Sequence, residues 1–188
     1  MRFGLTLCFS LILCGCSTTR KSAPAIASPV SAMLSVDVDS PQRFTATFQN
    51  HDGGSQIAEV TLSVMSNNVL PGGKSRWSAN ECLVRYDIAT KAVWLVSDMG
   101  GSWGYRSITA GSSSTFSNSQ CTVRAGGFSA QTSGNTLTVN FELTFSSQFK
   151  GTKQLYMACE DVNGKWSANY QQQFASFTVA PGRTPQSP

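Results

Sequence analysis

Thr136-Leu137-Thr138-Val139-Asn140-Phe141-Glu142-Leu143-Thr144-Phe145 is the stretch that decides the fold. Every odd position carries a large apolar side chain and every even position a polar one. Side chains on a strand alternate between faces, so this pattern buries one face and leaves the other in water, as an antiparallel strand does. Residues 42–49 repeat the device, with Phe44, Ala46 and Phe48 on one face and Thr45 and Thr47 on the other. In the next strand Ala58, Val60, Leu62 and Val64 line one face, opposite Glu59, Thr61 and Ser63. Further strands are expected over 33–37, 82–86, 92–97, 120–124, 128–131, 153–159 and 174–179. Trp94, flanked by Val93 and Leu95, is expected in the core.

Turn signals separate these runs: Gly53-Gly54, Gly72-Gly73, Gly100-Gly101, Gly126-Gly127, Gly134-Asn135 and Asn163-Gly164. Many short strands at such spacing, with no helical periodicity, predict an all-β antiparallel two-sheet β-sandwich of immunoglobulin or fibronectin type III kind. A closed barrel is the alternative. No internal repeat of about 20–50 residues is visible, which argues against a solenoid.

The chain has 188 residues, of which 13% are charged, against about 25% in an ordinary domain. Lys and Arg number 14 and Asp and Glu 10, so the net charge of +4 is a mild excess spread along the chain. A nucleic-acid binder needs a clustered basic face, so nucleic acid is not an expected partner. One histidine, His51, leaves no His cluster for zinc and no two-His iron or copper site. No metal and no cofactor is expected.

The start of the chain reads as an export signal: Arg2, an apolar run from Phe3 to Leu13, then Cys14-Gly15-Cys16. The run is too short to span a bilayer, which takes about 20 residues. Leu13-Cys14-Gly15-Cys16 resembles the bacterial lipobox. That resemblance implies cleavage after Gly15, acylation of Cys16 and attachment to the membrane of the cell envelope. Ser17, rather than Asp, follows the cysteine, which implies the outer membrane where the host has one. An ordinary signal peptide cut nearby is the alternative. Residues 16–32 are small and polar with Pro24 and Pro29, a composition expected to form a flexible tether. The expected organisation is therefore a signal peptide over 1–15, a tether over 16–32, a sandwich over 33–180 and a disordered tail over 181–188.

Lipidation of Cys16 would leave Cys82, Cys121 and Cys159. In an oxidising compartment one disulfide and one thiol are expected, with three pairings open. Cys82–Cys121 is favoured, because both residues begin strands on the faces of Val84 and Val123. Cys159 alternates with Leu155 and Met157 and reads as a buried thiol. Glu160 and Asp161 beside it would raise its pKa, which speaks against a catalytic nucleophile.

The run Cys82-Leu-Val-Arg-Tyr-Asp87-Ile-Ala-Thr90-Lys-Ala-Val-Trp94, then Ser117-Asn-Ser-Gln-Cys121 and Ser133-Gly-Asn-Thr-Leu-Thr138, resembles a recurrent β-sandwich module. Such immunoglobulin-like modules occur in secreted and surface proteins of environmental bacteria. The likeness spans about residues 33–179, and its most specific element is the Tyr-Asp-x-Ala-Thr hairpin between the two cysteines. Such modules have no established enzymatic activity, so the resemblance implies fold and compartment rather than mechanism. Cys159 departs from the module, where a small or polar residue is usual.

Catalytic constellations are sparse. His51, in Gln49-Asn50-His51-Asp52-Gly53, reads as a turn residue with no Gly-x-Ser-x-Gly elbow to serve. Asp87, Asp98, Glu160 and Asp161 are candidate carboxylates for glycoside cleavage, but turn and surface roles suit them better. Asp161-Val-Asn163-Gly164 opens like a calcium loop, but Lys165 and Gln172 occupy two of the ligand positions. The expectation is no enzyme. Trp77, Trp103, Tyr105, Trp166 and Tyr170 fall in loops or at strand ends, where flat rings suit stacking against a ligand. The sequence thus points to an envelope-displayed structural or protein-interaction module, with carbohydrate binding through these aromatics as the alternative.

Overall fold

The structure, a computed structural model, describes residues 25–28, 35–66, 81–99, 107–167 and 173–180. Among the described residues there is no α-helix, and thirteen strands carry the fold. In chain order they are β1 (Ala25–Ser28), β2 (Ser35–Asp37), β3 (Pro41–Gln49), β4 (Ile57–Met65), β5 (Cys82–Asp87), β6 (Ala92–Leu95) and β7 (Ile108–Thr109). There follow β8 (Thr115–Ser117), β9 (Cys121–Arg124), β10 (Ser129–Ser133), β11 (Thr136–Phe145), β12 (Gly151–Asp161) and β13 (Gln173–Ala180).

They form two sheets packed face to face, an all-β sandwich. The first sheet has the order β1-β3-β11-β9-β8, with β10 pairing on β11 beyond the end of β9. The second has the order β2-β13-β12-β4-β5-β6-β7. All pairs are antiparallel except β2–β13. The decisive stretch is β11, and its burial alternates without a fault from Thr136 to Phe145. It pairs with β3 over nine successive positions without a register shift, Phe141 opposite Phe44 and Leu137 opposite Phe48. The two inner faces meet through rings: Phe44 and Phe145 lie 6.1 Å apart, and Phe177 of β13 sits 5.9 Å from each. Tyr86 of β5 meets Phe128 edge-on at 6.1 Å, and Phe128 meets Phe141 at 5.5 Å. Edge-to-face rings at these separations add to the gain from burial.

Two crossings hold the sheets in register. The disulfide Cys82–Cys121 joins β5 of the second sheet to β9 of the first, with Cα atoms 5.7 Å apart. Beside it, Asn118 Nδ2 donates to the carbonyls of Glu81 (2.8 Å) and Val96 (3.0 Å). Its Oδ1 accepts from the N–H groups of Gln120 and Cys121, each at 2.9 Å. One amide thus ties the start of β9 to residues flanking β5 and β6. At Gly54 an added Cβ would collide with the Thr136 carbonyl, so only glycine lets this turn close onto β11.

Three expectations need correction. Residues 25–28, assigned to the tether, form β1 on the edge of β3. An open edge satisfies backbone N–H and C=O groups whatever the side chains, so weak apolar composition does not prevent pairing. Trp94 is not in the core. Val93 and Leu95 point inward, so the alternation turns Trp94 to the outer face of the second sheet, half-buried. The polar face of β4 is not wet either: Glu59 and Thr61 are 5% and 7% exposed. Short strands β7 and β8 carry no signal in the sequence, because two or three residues display no period.

Candidate functional site

The closed outer face of the second sheet is where charge is concentrated. Three carboxylates line up across neighbouring strands, Glu160 of β12 opposite Glu59 of β4, and Glu59 opposite Asp87 of β5. Like charges directly opposite on a sheet repel. Arg85, one pleat further along β5, forms an ion pair with Glu59, and its guanidinium lies 4.9 Å from the centre of the Trp94 ring. Trp94 is the cross-strand partner of Arg85, so the cation is set between a carboxylate and an aromatic face. Burial pushes the Glu59 carboxyl up to about 7, against the pull of Arg85 and with help from the Glu160 and Asp87 charges. A carboxyl that holds its proton near neutrality is able to exchange it there. Of this cluster, Asp87 and Glu160 alone are candidate site residues in the sequence; Trp94 reads there as core and Glu59 as a solvent-facing strand position.

The other candidate residues have local duties. Asp87 accepts the Thr90 N–H at 2.8 Å and closes the β5–β6 turn. Asp98 accepts the Ser119 N–H and hydroxyl, the latter at 2.6 Å. Asp161 accepts the N–H groups of Asn163 (2.8 Å) and Lys165 (3.0 Å), with Gly164 at φ 76° completing the turn. Burial raises the Asp161 pKa, but these donors outweigh it and hold the carboxyl below its usual value. His51 is exposed in the turn after β3. No group of three or more metal-ligating side chains gathers among the described residues.

Cys159 is fully buried and unpaired with any cysteine, and burial pushes its thiol up to about 12. Lys153, of a residue type rarely found fully inside, is 3% exposed. Its Nζ donates to Ser66 Oγ (3.1 Å) and the Lys150 carbonyl (3.0 Å) and lies 4.3 Å from the centre of the Phe149 ring. Burial lowers its pKa. Of the five loop aromatics, Trp166 is half-buried and bridges to Glu160 at the end of β12. Trp77, Trp103, Tyr105 and Tyr170, like Cys16, lie outside the described residues.

No protein-family model and no curated protein matches the chain. Among solved structures, AvmM, described as catalysing macrocyclization in alchivemycin A biosynthesis, aligns over 85% of this chain and 89% of its own. The identity is 13% and the TM-score 0.37. A likeness that distant assigns nothing to this chain.

Proposed function

We propose that the chain is a cell-envelope lipoprotein that displays an immunoglobulin-like β-sandwich as a structural or protein-interaction module, acting by binding rather than catalysis. The observation that supports it most is the disulfide between the two sheets. Such bonds persist in exported proteins and are rare in a reducing cytosol. The export-like run before Cys16 gives an independent reason for the same compartment. In this reading Cys16 carries the lipid, and each buried methylene contributes about 0.8 kcal/mol to membrane attachment.

Metabolic labelling with a tagged fatty acid tests the reading. The wild-type chain should incorporate label and fractionate with membranes, in the outer membrane where the host has two. Cys16→Ser should lose both label and membrane fractionation, or persist as unprocessed precursor. A Cys16→Ser chain that matures and fractionates like the wild type would overturn the anchor.

A further inference from the structure

The two outer faces of the sandwich differ in kind. That of the second sheet is closed to solvent at Glu59, Thr61 and Tyr156, whereas that of the first sheet is open and built from short polar side chains. Cross-strand register sets them in rows. Thr45, Asn140 and Ser129 form one, and Thr47, Thr138 and Gln131 the next. Adjacent strands stand about 4.8 Å apart and same-face residues about 6.8 Å along a strand, so the rows make a regular grid of hydroxyls and amides. The nine unshifted pairs of β3 and β11 keep that grid free of bulges.

The grid is also ordered. Thr45 Oγ1 donates to Asn140 Oδ1 at 2.8 Å, and Asn140 Nδ2 donates to Ser129 Oγ at 2.9 Å. With its proton committed, the Thr45 oxygen is left to accept. Ser129, already accepting, is left with its own O–H to donate outward. The chain of bonds thus fixes a donor at one end of the row and an acceptor at the other before any ligand arrives. The charges beside the rows, Arg43 and Glu142, pair with each other at 3.2 Å. On β3, β10 and β11 the surface offers many oriented hydrogen bonds and no net charge, with exposed Arg124 of β9 lying beyond Glu142 at its border.

We infer that this outer face of the first sheet, formed by β3, β10 and β11, binds an uncharged polysaccharide. Such a polymer presents hydroxyls that both donate and accept, repeats along one direction and carries no charge, matching the grid on each count. This goes beyond the structural or protein-interaction role proposed above, adding a glycan partner and placing it on a face rather than on the loop aromatics.

Affinity electrophoresis of the full chain in detergent micelles, through gels holding hydroxyethylcellulose, galactomannan or dextran, tests the inference. At least one polymer should retard the wild type, with no dependence on added salt. The double variant Thr47→Ala/Thr138→Ala, with an unchanged melting temperature, should weaken retention by about tenfold or more. Gln131→Arg, on exposed β10, should do the same and serves if the double variant is unstable. Trp166→Ala should leave retention intact. Wild type that migrates freely through all three gels overturns the inference, as does equal retention of both variants. A concentration-dependent dimer abolished by these variants also overturns it, by showing that a second copy covers the face. Since fractionation reads the lipid anchor separately, a membrane-bound chain that binds none of the polymers would sink this inference alone.

Discussion

Cys159 and Glu59 are both buried ionisable groups on β12 and β4, and burial acts on them in the same direction with different consequences. The thiol at about 12 is protonated throughout the physiological range, and the thiolate is the nucleophile, so native protein should resist iodoacetamide at Cys159. Denatured protein should label there stoichiometrically; rapid native labelling would show that the interior opens at β12. Glu59 instead titrates within reach of neutrality. Its folded value of about 7 lies above the ordinary 4.5, so the folded chain holds this proton more tightly than the unfolded one does. Its contribution to stability is complete below pH 4.5 and is lost as pH rises through 7. At 1.36 kcal/mol per pKa unit the loss is on the order of 3 kcal/mol. Denaturant unfolding of Glu59→Gln, which has no proton to lose there, should show a flatter stability profile over that window. An unaltered slope in the variant would assign the dependence to another group.

Strand by strand, the strongest dependence falls on β11 and on the bond between β5 and β9. Phe141 is fully buried and touches both Phe44's strand and Phe128. Phe141→Ala should cost about 3–5 kcal/mol in chemical denaturation. The disulfide closes a separation of 39 residues, worth roughly 4 kcal/mol by loop-closure entropy. Reduction should lower the melting temperature strongly while the far-UV strand signal survives at low temperature; a melting temperature indifferent to reductant would overturn that role. Both elements were legible beforehand. In β11 a single period of two fixes which side chains are inside, and in Cys82 and Cys121 position at a strand start and face agree. Legibility ended where strands lack contrast. The outward residues of β4 and β12 look like solvent positions in one dimension, and only the closure of that face makes Glu59, Thr61 and Gln154 buried. The same limit hid the Glu59–Arg85–Trp94 cluster, whose members come from three strands, and Lys153, whose burial depends on Phe149 and Ser66.

In the sandwich as a body, β2 and β13 run side by side and parallel, Ser35 opposite Thr178 and Asp37 opposite Ala180. When the chain is held by its two ends, tension reaches the β2–β13 pair at Ser35 and leaves it at Ala180, at opposite ends of that pair. The load then acts along the strands and strains their hydrogen bonds together, in shear, instead of opening them one after another like a zipper. Four-residue β1, with its register shift against β3, would peel first. Once the sandwich ruptures, the bond between Cys82 and Cys121 withholds its 39-residue span from the extension. Single-molecule pulling should therefore yield about 130–140 Å more length under reducing than under oxidising conditions. The same covalent crossing that secures the fold at rest would act under load as a stop, limiting how far the ruptured chain can be drawn out.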